Sequence, residues 1–76
     1  MKVRKKDGRL EDFDKNKIIK GCKRAGASPK ISSEIANVVN SESYDGISTA
    51  EIRTLVLKEL ERKDRKTAME FRNFKK

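Results

Sequence analysis

The sequence predicts an α+β fold in which a short β-hairpin and a small third strand lie against four helices. Three features carry this prediction: an Asp7-Gly8 pair between short extended segments, apolar residues at helical spacing from Ile18 onward, and a capping side chain before each helical run. At 76 residues, with 34% apolar content, the chain has room for a single domain, expected to span residues 1–76, and for only a modest core. Charged residues reach 42%, a level compatible with disorder. Disordered tracts, however, need neither periodicity nor caps.

The elements follow in order. Asp7-Gly8 suits a two-residue type I′ turn, which sets Arg4 opposite Glu11 and Lys5 opposite Leu10. Phe13 precedes Asp14, a good N-cap, and Ile18 falls where it closes a hydrophobic staple with Phe13, so the first helix starts near Lys15. Ile18, Ile19, Cys22 and Ala25 share its apolar face, and Gly26 stops it. Ser28-Pro29 starts a second helix with a stripe of Ile31, Ile35, Val38 and Val39, ending at Asn40. After a polar turn, Ile47 adds a short third strand. Ser48-Thr49-Ala50-Glu51 is a capping box, and Ile47 with Ile52 repeats the staple. Ile52, Leu55, Val56 and Leu60 form the third helix's core face; Asp64 caps a last helix with Ala68, Phe71 and Phe74 inward.

The hairpin runs straight into a capped helix carrying Lys17, which makes a cationic ledge beside a helix N-terminus where phosphate is favoured. Net charge is +8, but its distribution says more than its sum. Residues 1–30 carry +7, residues 31–61 carry −4 and residues 62–76 carry +5. Two basic ends around an acidic middle either meet in the fold as one positive site or remain separate solvated faces. No apolar run nears the roughly 20 residues of a membrane span, and no secretory stretch follows the basic start, so a cytoplasmic location is expected. Cys22 alone makes neither a disulfide nor a zinc site and reads as buried filler; histidine is absent. With no P-loop, no nucleophile elbow and no paired carboxylates, the chain is not expected to be an enzyme.

Val3, Lys5-Lys6-Asp7-Gly8, Glu11, Phe13-Asp14, Lys17-Ile18 and Ala25-Gly26, then Tyr44-Asp45-Gly46-Ile47, Thr49, Ile52 and the closing Lys75-Lys76, resemble the ATP-cone over nearly the whole chain. That family is a nucleotide-binding regulatory domain of ribonucleotide reductases and of the repressor that controls their genes. The resemblance implies a four-helix bundle capped by a three-stranded sheet, with ATP or dATP bound between sheet and helices; triphosphates usually carry Mg²⁺, so the effector is expected with it. By motif matching, Lys5 and Lys6 reach the phosphates and Lys75 joins them. Glu11 and Asp14 lie near adenine and ribose, Lys17 and Thr49 supply further polar contacts, and Val3 meets the base. Arg53, one turn after Thr49, occupies a position that is often histidine in the reductases, where it helps separate ribose from deoxyribose. Lys6 stands where arginine is common and brings a point charge without a bidentate fork.

Structural roles stand beside several of these assignments. Asp14 is an N-cap, Thr49 belongs to a capping box, Glu11 can pair with Arg4, and Val3 can be core. Lys5 and Lys6 have no structural task beyond keeping an edge strand soluble. Neither a reductase catalytic domain nor the repressor's four-cysteine zinc ribbon is in the sequence. A free-standing cone is therefore expected, acting in trans on a ribonucleotide reductase or another nucleotide-metabolism protein or regulator, or through self-association; a relic that binds nucleotide without regulating anything is the bland form of the same reading. The competing classes are a small basic nucleic-acid-binding module using the same lysines on backbone phosphates, and a structural interaction domain that binds neither.

Overall fold

The structure, a computed structural model, describes residues 1–73; the expected inward-facing Phe74 and the expected ligand Lys75 lie outside them. Strands β1 (Lys2–Arg4) and β2 (Leu10–Asp12) lead to helices α1 (Lys15–Arg24) and α2 (Pro29–Glu42). Strand β3 (Ile47–Ser48) then leads to α3 (Thr49–Lys63) and α4 (Arg65–Asn73). The sheet order is β2-β1-β3, with β2 antiparallel and β3 parallel to the central β1. The expected α+β fold, four helices with a three-stranded sheet, is what the chain forms.

The hairpin register differs by one residue from the sequence expectation. Val3 lies opposite Glu11 and Arg4 opposite Leu10. Lys5 N donates to Arg9 O at 2.8 Å and Gly8 N to Lys5 O at 2.9 Å, closing a three-residue loop of Lys6, Asp7 and Gly8. A type I′ turn needs positive φ at both Asp7 and Gly8, and only Gly8 has it, at 92°. Asp7 instead accepts from Arg9 N at 3.1 Å and Arg9 Nε at 2.8 Å. Because side chains alternate along a strand, the shift moves Glu11 from Arg4's face to that of Val3 and Lys5. The expected Arg4–Glu11 pair does not form; Glu11 pairs with Lys5 and Lys17.

Each helix start is capped as its sequence indicates. Asp14 Oδ1 accepts from Asn16 N at 2.9 Å, Ser28 Oγ from Ile31 N at 3.2 Å, and Ser48 Oγ from Glu51 N at 3.1 Å. The capping box is only half made, because the Glu51 carboxylate takes the Tyr44 hydroxyl at 2.6 Å instead of reaching back to Ser48. Gly26, with φ 112°, ends α1 in a Schellman arrangement: Ala27 N donates to Cys22 O and Gly26 N to Lys23 O, each at 3.0 Å. Helix α2 continues two residues past Asn40, since no glycine interrupts it; Ser43 closes it through bonds from N and Oγ to Val39 O. Asp64 both ends α3 and caps α4, accepting from Thr67 N at 3.1 Å and Thr67 Oγ1 at 2.6 Å.

The core joins Cys22, Ala27, Ile35, Val39, Val56, Leu60 and Ala68, with Ile18, Ile31, Ile52, Leu55, Leu57 and Phe71 packed around it. Val3 and Ile47 are buried on the helix side of the sheet. Cys22 is fully buried, and burial pushes its thiol up to about 11, as fits packing rather than reactivity. Ser32 is also fully buried, and its Oγ has no hydrogen-bond partner among the described residues. Replacing it removes a desolvated, unpaired hydroxyl and improves helix propensity. Ser32→Ala is therefore expected to stabilise the fold by about 1 kcal/mol, seen as a higher urea midpoint at unchanged m-value.

Candidate functional site

Where the sheet meets α1, α3 and α4 the chain leaves a cleft of about 390 Å³, within the range of roughly 300–1,000 Å³ usual for small-molecule sites. Its floor is apolar: Ile18 of α1, Ile52 and Val56 of α3, and Phe71 of α4, with Val3 and Phe13 on the sheet side. Gly21, in the middle of α1, also lines it, and a methyl group there would stand 3.7 Å from the Phe71 ring. A helical glycine costs about 1 kcal/mol against alanine, and here it keeps the α1 wall bare beside Phe71.

The rim is charged. Glu11 lies between two cations, 3.2 Å from Lys5 Nζ and 3.5 Å from Lys17 Nζ. The hydrogen bond from Lys5 chiefly, with Lys17 adding to it, holds the Glu11 carboxyl below its ordinary value of 4.5 against a smaller opposing effect of burial. Arg53, one turn into α3, stacks its guanidinium 4.8 Å from the Phe71 ring centroid and sets Nη2 3.4 Å from Phe71 O, joining α3 to α4 across the cleft. Thr49, the first residue of α3, faces the cleft from an exposed position.

Of the residues singled out in the sequence, Val3, Lys5, Glu11, Asp14, Lys17, Thr49 and Arg53 line this one cleft. Lys6 is not in its lining; it is exposed in the hairpin loop. Asp14 carries its capping bond as well as its place on the rim. Asp12 also reaches the edge, with its carboxylate held by Lys2 at 2.7 Å. Sequence reasoning had Phe71 as core and gave Gly21 no role; a glycine inside an otherwise regular helix was the available signal. Among the described residues no group of three His, Cys, Asp or Glu is placed to hold a metal ion, and no helix is long and apolar enough to cross a membrane.

A cleft with an apolar floor and a rim that mixes three cations with three carboxylates, set between a small sheet and four helices, defines a ligand-binding domain suited to a molecule that is part apolar and part charged. A family model described as the ATP cone domain matches residues 1–76, and the chain belongs to the ATP-cone family of nucleotide-binding regulatory domains, whose members bind ATP or dATP as effectors. An uncharacterized protein of Archaeoglobus fulgidus is 56% identical over 36 residues, covering 47% of this chain and 77% of that protein. Proteins named transcriptional repressor NrdR, from Caldicellulosiruptor saccharolyticus and Caldicellulosiruptor bescii, are each 39% identical over 70 residues, covering 82% of this chain. The match spans 46% of each repressor's length.

The Lys5–Glu11–Lys17 group has a pH signature. A carboxyl lowered by folding contributes stability above its unfolded value and loses it as pH falls through the folded value. A carbon-detected NMR titration is expected to place the Glu11 midpoint below 4.5. Lys5→Gln should return the midpoint toward that value; an unchanged midpoint would show that Lys5 does not hold the carboxylate.

Proposed function

We propose that this chain is an adenine-nucleotide sensor, a binding module rather than an enzyme, whose cleft takes ATP or dATP and passes the occupancy on to a partner. The observation that carries this reading is the convergence of Val3, Lys5, Glu11, Asp14, Lys17, Thr49 and Arg53, drawn from both ends of a long stretch of sequence, on one cleft. Lys5 and Lys17 suit the phosphates, with Lys6 from the loop and Lys75 from the chain's end as further contacts. The floor of Ile18, Ile52 and Phe71 suits the base, with Val3 beside it. Asp14 and Thr49 suit the ribose.

Glu11 gives the site its order of events. Its single negative charge is shared between Lys5 and Lys17. Incoming phosphate oxygens compete for those two ammonium groups, and the released carboxylate is free to accept from an exocyclic amine or a hydroxyl. Charge-assisted contacts contribute about 1.5–3 kcal/mol each, so two supply much of the roughly 8 kcal/mol of a micromolar complex, and the apolar floor supplies the rest. Mg²⁺ is expected to arrive with the triphosphate as its counter-ion.

A nucleotide shifts a conformational equilibrium only by its differential affinity for the two states. Here the cleft is walled by the sheet, α1, α3 and α4 together, so an occupant favours the state in which these four are docked. The partner we favour is a ribonucleotide reductase or a regulator of its genes; the NrdR relatives support a regulatory setting. Self-association is the other route by which occupancy becomes an output.

Amide shifts followed by NMR while ATP, dATP or GTP is added with Mg²⁺ test this reading. Saturable shifts at Lys5, Lys17, Thr49 and Gly21 are expected for both adenine nucleotides and weaker ones for GTP. Because Arg53 is engaged with Phe71, ATP and dATP affinities should lie within about tenfold, or 1.4 kcal/mol. Lys5→Gln is expected to weaken ATP by about 10-fold to 150-fold. An absence of shifts at millimolar ATP would sink the proposal.

A further inference from the structure

The cleft uses only part of the positive charge. Strand β2 feeds α1 and β3 feeds α3, so the sheet adjoins the N-terminal ends of these two helices. The C-terminal ends of α1 and α3, and the N-terminal ends of α2 and α4, therefore lie at the opposite pole. Two contacts tie that pole together. A methyl group on Gly26, just past α1, would stand 3.8 Å from Thr67 Oγ1 in the first turn of α4, and Lys63 Nζ at the end of α3 lies 3.8 Å from Glu34 Oε1 near the start of α2.

Both basic blocks of the sequence meet here. Arg62 is paired with Glu59 at 3.3 Å and Lys63 with Glu34, while the Asp64 carboxylate is turned to its capping bonds with Thr67. Lys23, Arg24, Lys30, Arg65 and Lys66 form no ion pair among the described residues, and all five are exposed. Lys23 and Arg24 sit in the last turn of α1, where cations complement the helix dipole. The other three do not share that explanation. Lys30 opens α2, and Arg65 and Lys66 open α4, at the ends whose partial positive charge repels a cation; neither first turn contains an acid. At Lys30 no acid in the first turn offsets that repulsion; at the start of α4 the Asp64 cap carboxylate, which Lys66 helps to hold in its charged form, offsets it in part.

We propose that this basic pole, distinct from the nucleotide cleft, binds the phosphate backbone of a nucleic-acid duplex. The chemistry separates a duplex from other anionic partners. A protein partner calls for an apolar or aromatic centre to the interface. Among the described residues the exposed large hydrophobics are Met1, Leu10, Tyr44 and Met69; only Met69 comes near the pole, where it lines a shallow depression with Arg65, Glu61 and Arg72, and one methionine does not make an apolar centre. Single strands are held by stacking on aromatic rings, and the polar segments 23–30 and 62–66 contain none. What they present is a field of unpaired ammonium and guanidinium groups, which positions a phosphate backbone without reading its sequence.

Anisotropy of a labelled DNA duplex of about 20 base pairs, measured without nucleotide between roughly 50 and 200 mM KCl, tests the proposal. Five phosphate contacts give a log–log slope near −4.5, or about a 500-fold loss of affinity over that range. The triple variant Lys30→Gln, Arg65→Gln, Lys66→Gln leaves two contacts and should lower the loss to about 12-fold. Its Tm should be nearly unchanged, because the three side chains are exposed and form no ion pair among the described residues. Lys5→Gln with Lys17→Gln, which alters the cleft, should leave duplex affinity unchanged, so failure here and failure of nucleotide sensing are read separately. The proposal is overturned by no duplex binding at low salt, by a triple variant with the parent's slope or a lowered Tm, by binding lost in the cleft variant, or by tighter binding of polyglutamate or of a single strand than of the duplex.

Discussion

The double pairing of β1 is the constraint on which the rest of the molecule depends. Val3 is held across from Glu11 on one side and from Ile47 on the other. Since paired strands lie about 4.8 Å apart, β2 and β3 are kept roughly 10 Å from each other, close to the diameter of a helix with its side chains. Each of those outer strands runs directly into a helix, so the first turns of α1 and α3 emerge side by side. The cleft is the space between those two helix starts under the sheet, and α4 closes it with Phe71.

A small domain that keeps such a space open gives up part of an already modest core. Ile18, Ile52 and Phe71 remain half-buried along the cleft, and Gly21 contributes no side chain to the wall. Local structure offsets this. All four helix starts are capped by side chains, each contributing about 1 kcal/mol, which matters in a fold whose net stability is of the order of 5–15 kcal/mol. Arg53 adds a clasp between α3 and α4, laying its guanidinium on Phe71 and reaching that residue's carbonyl. The cleft is thus framed by capped, hydrogen-bonded elements while its floor stays available to a ligand.

Positive charge gathers at two places that differ in how it is paired. In the cleft, Lys5 and Lys17 are already held by Glu11, an arrangement in which an anionic ligand must exchange for an internal carboxylate. At the pole, five exposed cations form no ion pair among the described residues. The acidic middle of the chain is spent inside the fold: Glu34 and Glu59 pair with Lys63 and Arg62 at the pole, Glu61 pairs with Arg72 of α4, and Glu51 takes the Tyr44 hydroxyl.

Much of this was legible in the sequence because it is local. Capping residues act within one turn, so Asp14, Ser28, Ser48 and Asp64 mark their helices wherever the chain folds, and the periodicity of Ile18, Cys22, Ile35, Val39, Val56 and Leu60 marks the buried faces. Of the nine residues the family motif singled out, seven line the cleft, whereas Lys6 is outside the lining and Lys75 lies outside the described residues. The hairpin register was not legible, because Asp7-Gly8 fits more than one loop and the choice lies in whether Asp7 adopts positive φ or folds back on Arg9. That choice alone decides which face Glu11 occupies. The partners of Glu51, the clasp of Arg53 on Phe71 and the meeting of the two basic blocks at one pole were also decided only by the tertiary structure. Each brings together groups from separate elements, and that proximity is set by how strands pair and helices pack, whereas caps and stripes depend only on neighbours a turn away.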